Sequence, residues 1–238
     1  MNICLNDKVF SIISEVVSEE SAEAYVTGGW VRDCLLNRDH PGKDIDIVVI
    51  GSGIDLARKT ASKIDPDIKV NVFRNFGTAM FRWENYEIEF VGARKESYAR
   101  GSRKPVVENG TLEDDQKRRD FTINALAISL NKETYGQFLD PFGGTEDLRK
   151  KIIRTPLDPG RTFSDDPLRM IRAVRFASQL GFSIDETTFS SISENAGRIK
   201  IVSPERIIAE LNKIIMCDKP SKGFKLLEKS GLLILIFP

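Results

Sequence analysis

The sequence predicts an α+β chain in two parts, a mixed strand-and-helix region over residues 1–155 and a helical region over residues 156–238. Strand-like and helix-like patterns alternate through the first part, strand signals stop near Thr155, and the later helices open on proline. In chain order, helical apolar spacing covers residues 7–18, and Ala24–Thr27 reads as a short strand ending at Gly28 and Gly29. A second helix follows that turn. DIDIVVI, residues 44–50, is a strand rich in β-branched residues, and DLARKTASKI is a helix. IKVNVF, GTAMFRW and YEIEFVG read as strands, DDQKRRDFTINALA as a helix, and KIIRT as the last strand. The stretch ARKESYARGSRKPVVENGTLE, residues 93–113, is polar, punctuated by Gly and Pro, and long enough to mark a functional loop. In the second part, DDPLRMIRAVRFASQL and SPERIIAELNKIIM are helices, the latter with Ile207, Ile208, Leu211, Ile214 and Ile215 on one apolar stripe.

Composition narrows the function classes. With 41% hydrophobic and 29% charged residues among 238, the chain buries a sizeable core and disorder is not expected. Lys plus Arg and Asp plus Glu are 35 each, so any basic surface for a polyanion has to be local. Neither a membrane-length apolar run nor a signal peptide is visible, and the expected location is the cytoplasm, with no membrane partner. Cys4, Cys34 and Cys217 are odd in number and lack metal-ligand spacing, which predicts reduced thiols. His40 is the single histidine, so Ser-His-Asp chemistry and histidine-rich metal sites are not expected.

The chemistry concentrates around residues 28–50. Asp44 and Asp46 are two apart on a strand, hence on one face, where like charges repel unless a cation joins them. An all-oxygen pair suits Mg²⁺ completed by substrate phosphates, and the competing reading is a polar strand edge. Glu87 and Glu89 alternate with Ile88 and Phe90, so a neighbouring strand brings a third carboxylate within reach, with Glu87 read as the solvated face of an edge strand. Gly28 and Gly29 let backbone N–H groups approach a phosphate, and Arg32 reaches the same phosphate or pairs with Asp33 or Asp39. In DDQKRRDFTINALA the arginines, Arg119 among them, fit a triphosphate or a solvated helix face.

GGWVRDCLL, KDIDIVVIG, LEDDQKRRDFTINALA, LDPFGGTEDLRKKIIRT, FSDDPLRMIRAVRFA and SPERIIAEL, in this order, resemble the successive motifs of the class II tRNA nucleotidyltransferase and bacterial poly(A) polymerase family. The resemblance implies a polymerase-β-like catalytic head, residues 1–155, followed by an all-helical neck, residues 156–238. It places the metal ligands for Mg²⁺ on Asp44 and Asp46, with Glu89 as a third catalytic carboxylate. Nucleotide contacts fall on Gly28, Gly29, Arg32, Arg119, Asp166, Arg169, Arg172 and Arg175. The implied reaction is attack of an RNA 3′-hydroxyl on the α-phosphate of CTP or ATP, adding CCA to the 3′ end of tRNA.

On that reading Asp166 and Arg169, three apart on one helix face, meet one base. Cytosine and adenine each offer an amino donor beside a ring-nitrogen acceptor, an order that guanine and uracil reverse. An aspartate acceptor beside an arginine donor therefore selects C and A. The plainer reading makes Asp165 or Asp166 a helix cap before Pro167, and Arg172 and Arg175 exposed charge beside a core stripe. Asp165 stands where the family usually has glutamate, one methylene shorter. Family members usually continue into a helical body and tail, so the chain is expected to be a head-and-neck portion with a separate C-terminal half as an implied partner. Poly(A) polymerase and CC- or A-adding specialists are the alternatives within the family. A catalytically inactive nucleotide- or RNA-binding fragment is the alternative outside it.

Overall fold

A computed structural model describes residues 2–38, 44–97 and 106–237. The chain divides into two compact units. The first holds a seven-stranded mixed sheet in the order β3-β4-β5-β2-β1-β8-β9. Its strands are β1 (Glu23–Thr27), β2 (Asp44–Ile50), β3 (Asn71–Phe73), β4 (Thr78–Trp83), β5 (Tyr86–Gly92), β8 (Ala127–Ser129) and β9 (Phe138–Leu139). β2 and β5 are parallel, while β1 runs antiparallel to both β2 and β8. Helices α1 (Lys8–Glu19), α2 (Gly29–Leu35) and α3 (Gly53–Ile64) belong to this unit, and α1 buries Val9, Phe10, Ile13, Val16 and Val17 as its periodicity predicts. Ile45, Ile47, Ile88 and Phe90 are fully buried on one face of the β2/β5 pair, which leaves the acidic residues between them on the other.

Three expectations change in this unit. The segment read as a loop contributes an antiparallel pair, β6 (Arg94–Ser97) with β7 (Val106–Asn109), and its centre lies outside the described residues. The helix expected over DDQKRRDFTINALA stops early. α4 (Leu112–Lys117) is opened by a capping box between Thr111 and Asp114; a 3₁₀ turn, Thr122–Asn124, and β8 follow. Residues Phe121–Leu130 contain almost only buried side chains, an all-round apolar run that a sheet interior accepts as readily as a helix. Cys4 and Cys34, expected as reduced thiols, form a disulfide with Cα atoms 5.7 Å apart, whereas Cys217 keeps its thiol, which donates to the Lys213 carbonyl at 3.1 Å. The Trp30 indole N–H donates to the Cys4 carbonyl at 2.8 Å and its ring packs on Phe10, a tertiary contact that no spacing of cysteines reveals.

The second unit is built from α5 (Gly144–Lys150), α6 (Pro159–Asp165), α7 (Leu168–Leu180), α8 (Glu186–Asn195), α9 (Pro204–Ile215), α10 (Pro220–Lys229) and α11 (Leu232–Ile236). It is helical as expected, apart from a short parallel pair between β10 (Ile152–Ile153) and β11 (Ser183–Ile184). α7 packs on α9 and α10 and buries Met170, Ile171, Ala173, Val174 and Ala177. The stripe on α9 divides. Leu211 and Ile214 are buried, but Ile208 and Ile215 are more than half exposed and line an apolar groove of about 520 Å³ that also touches Phe224, Leu235 and Phe237. Among the described residues no helix is long and apolar enough to cross a membrane.

Where α3 begins, a Cβ on Gly53 would lie 2.8 Å from the Gly92 nitrogen and 3.0 Å from the Phe90 carbonyl oxygen, both backbone atoms of β5. Gly53→Ala is expected to lower stability by about 1–3 kcal/mol through overpacking. Gly197→Ala, where a Cβ meets nothing within 4 Å, serves as the control with little change. Urea midpoints of the two variants check this.

Candidate active site

The site grows from strand register. Parallel pairing of β2 with β5 sets Asp44 opposite Glu87 and Asp46 opposite Glu89, and period-two alternation points all four carboxylates to one face. Sequence reading foresaw this gathering. Glu87 differs from expectation: β5 is internal, between β4 and β2, and Glu87 is taken by Arg82 of β4 at 2.7 Å. Burial, with the Glu87 charge added, pushes the Asp44 carboxyl above its ordinary value. Burial followed by the charges of Asp46 and Glu87 raises Glu89 likewise, against a lowering pull from Arg94. Both shifts signal negative charge short of compensation, which a divalent cation reverses. No cage of three or more His, Cys, Asp or Glu side chains is preassembled among the described residues. Two aspartates with a third carboxylate on the next strand are instead an open, oxygen-only donor set, which fits Mg²⁺ completed by phosphates and water.

β1 delivers the glycine turn to the same end of the sheet. Thr27 pairs with Asp46, so Gly28 leaves β1 beside the start of β2. Gly28 has φ 73°, a conformation that favours glycine, and α2 starts at Gly29. A Cβ on Gly29 would sit 3.5 Å from Arg32 Nη2, which places the guanidinium against the turn. Arg32 is buried. It donates from Nε and Nη2 to Asp33 at 2.9 and 2.8 Å and from Nη1 to Asn124 Oδ1 at 2.8 Å. The pairing with Asp33 was legible in the sequence, whereas its burial and the Asn124 partner were not. Arg119 is half-buried, and the neighbouring Arg118 pairs with the fully buried Asp115.

In the second unit Asp166 stands between α6 and α7. Its Oδ1 accepts from the Leu168 N–H at 3.2 Å, which satisfies a first-turn donor as a cap does, and its Oδ2 accepts from Arg206 at 2.9 Å. Arg169 follows on α7, half-buried, with its N–H bonded to the Asp166 carbonyl at 3.0 Å. Arg172 and Arg175 are not exposed charge. Arg172 donates from Nε to Asp120 at 2.8 Å, and Asp120 holds its guanidinium above the ordinary value. Arg175 is 7% exposed, with Nε 2.5 Å from Glu210 and its guanidinium 3.8 Å over the Phe176 ring. Burial lowers Arg175, helped by the neighbouring Arg172 charge, even though Glu210 opposes it. Glu210, which sequence reading did not select, is thus the buried anion that α9 offers to both arginines.

Fold and carboxylate register together define a nucleotidyltransferase head followed by a helical unit. Residues 24–154 match the family model for the "Poly A polymerase head domain", and residues 181–238 match "Probable RNA and SrmB- binding site of polymerase A". The chain belongs to the poly(A) polymerase head-domain family. It is 41% identical over 198 residues to the A-adding tRNA nucleotidyltransferase of Aquifex aeolicus, covering 82% of this chain and 23% of that protein. It is 37% identical over 224 residues to the CCA-adding enzyme of Geobacillus sp. (strain WCH70), covering 93% and 52%. A crystal structure of a tRNA nucleotidyltransferase with a primer tRNA and an incoming ATP analogue superimposes with a TM-score of 0.82 at 35% identity, over 94% of this chain and 62% of that one. The chain thus spans about half the length of its CCA-adding relative, and less than a quarter of the A-adding one.

Removing Glu210 strands a buried guanidinium. Glu210→Ala is expected to cost about 3–5 kcal/mol, the range for a buried pair stripped of one partner. The loss is read as a lowered urea midpoint. A variant as stable as the parent would mean that α9 holds α7 without this pair.

Proposed function

We propose that the chain is the catalytic head and neck of a template-independent RNA nucleotidyltransferase that adds C and A residues to the 3′ end of tRNA. One observation carries the reading: β2/β5 register sets Asp44, Asp46 and Glu89 on one face, with the Gly28 turn delivered to the same strand end. The motif order and the named activities of relatives support it.

In this reading Asp44 and Asp46 hold Mg²⁺, with Glu89 steadying the pair from β5. Bound there, Mg²⁺ neutralises charge building on the α-phosphate and makes the RNA 3′-hydroxyl a better nucleophile. The 3′-hydroxyl gives its proton to solvent as its oxygen bonds to the α-phosphorus, the bond from that phosphorus to the bridging oxygen breaks, and pyrophosphate leaves. Gly28 and Gly29 offer backbone N–H groups to the triphosphate and Arg32 its positive charge, held in place by Asp33 and Asn124. Arg119 serves the nucleotide from the segment after α4. Asp166 accepts the amino proton of cytosine or adenine, and Arg169 donates to the ring nitrogen. Arg172 and Arg175 contribute by fixing α7 through Asp120 and Glu210. The cytoplasm is the compartment for this substrate. Full-length relatives extend well beyond the matched region, and a C-terminal half supplied by a further segment or polypeptide adds RNA-binding surface. Addition of a single A is the second reading, favoured by the Aquifex relative's name.

The test is incubation at low salt with Mg²⁺, each nucleoside triphosphate singly, and tRNA ending before, within or after CC. C and A addition in register is expected for CCA synthesis, and A addition to CC-ended tRNA alone for the second reading. Asp44→Ala and Asp46→Ala are each expected to abolish addition while leaving the melting temperature nearly unchanged, because neither removes core contacts. Near-normal turnover by Asp44→Ala in Mg²⁺ would overturn the metal assignment.

A further inference from the structure

The carboxylate assigned to base reading is already gripped from both sides. The Leu168 N–H holds Oδ1 of Asp166 and Arg206 holds Oδ2, the first from the start of α7 and the second from the first turn of α9. One helical turn further along α9, Glu210 engages Arg175. α9 therefore presents a cation to Asp166 and an anion to the arginines of α7, and the two contacts differ in kind. Arg175 and Glu210 are buried at 9% and 5% side-chain exposure, a permanent structural pair. Arg206 and Asp166 remain 44% and 25% exposed, where an ion pair adds little to stability.

We infer that Arg206 is a positioning residue for nucleotide choice: it fixes the plane of the Asp166 carboxylate and so gives that acceptor its selectivity. The inference rests on the base-reading role of Asp166 and Arg169. An aspartate carboxylate turns through a broad torsional well and accepts at any of about four lone-pair sites. Tethered at one oxygen, it can swing away from an unfavourable partner. Tethered at both, it keeps its remaining lone pairs in set directions. Uracil and guanine bring a carbonyl oxygen where cytosine and adenine bring an amino group. That mismatch excludes the wrong base only if the acceptor cannot turn aside, since discrimination comes from groups left facing each other without a bond. Arg206 supplies the second tether.

The test measures equilibrium binding of labelled CTP, ATP, UTP and GTP, with Mg²⁺, to the 238-residue chain and to Arg206→Ala, Arg206→Lys, Asp166→Ala and the Asp166→Ala/Arg206→Ala double variant. Arg206→Ala is expected to cut the preference for C and A over U and G about tenfold, the loss expected for one charge-assisted hydrogen bond. Arg206→Lys should restore part of it, and Arg206→Ala should add nothing in the Asp166→Ala background. Melting temperatures should stay within about a degree of the parent, as for an exposed pair. An unchanged preference in Arg206→Ala, or an equal shift for all four nucleotides, overturns the positioning role while leaving base reading intact if Asp166→Ala relaxes the choice. A parent chain without preference, or an Asp166→Ala variant that keeps it, removes the base-reading role itself and this inference with it.

Discussion

The parallel pairing of β2 with β5 is the constraint on which the acidic face depends. A parallel ladder in this register sets Asp44 beside Glu87 and Ile45 beside Ile88, so two alternating sequences, DIDIV and EIEFV, put every isoleucine and phenylalanine on one side and every carboxylate on the other. A one-residue slip would bury the acids and expose the core. The hydrophobic face therefore enforces the geometry of the polar face, and the energy holding Asp44, Asp46 and Glu89 together comes from Ile45, Ile47, Ile88 and Phe90. Burial raises the proton affinities of Asp44 and Glu89, and repulsion from Glu87, joined at Glu89 by Asp46, adds to it.

The second unit solves a different electrostatic problem. α7 carries arginines at a three-residue step, and packing that helix into a core brings at least one guanidinium out of water. Asp120 and Glu210 supply the counter-charges, one from the segment after α4 and one from α9. Anchoring by ion pairs rather than aliphatic contacts fixes the rotation of α7 about its axis, because an Arg–carboxylate contact is directional where a leucine contact is not. In the proposed function this rotation sets the direction in which Arg169 meets a base.

Much of this was legible in the sequence, for identifiable reasons. The strand pairs with strict alternation, the glycine turn and the proline-led helices all carry local signatures, and they emerged where the spacing placed them. The shared face of Asp44, Asp46 and Glu89 was readable because a strand fixes relative direction over two residues. What escaped depended on contacts far apart in sequence. Asn124 reaches Arg32 across 92 positions, Glu210 meets Arg175 across 35, and Cys4 finds Cys34 across 30. The segment from Phe121 was misread because a run buried on every side has no period to distinguish helix from strand. The stripe on α9 was read correctly as helical but not as divided, since periodicity tells which face is apolar and is silent on how much of it a neighbour covers.

Burial separates two kinds of charge in this protein, and the separation follows function. Where a pair is sealed from water, as at Arg175 and Glu210, breaking it leaves an uncompensated charge, so it stays made and serves as scaffold. Where water reaches the pair, as at Asp166 and Arg206, the contact adds little to stability and serves to align the carboxylate. On β2 and β5, burial and neighbouring carboxylates together hold Asp44 and Glu89 above their ordinary values. Burial thus sorts the charges of the helical unit into scaffold, as at Arg175 and Glu210, and open contact, as at Asp166 and Arg206.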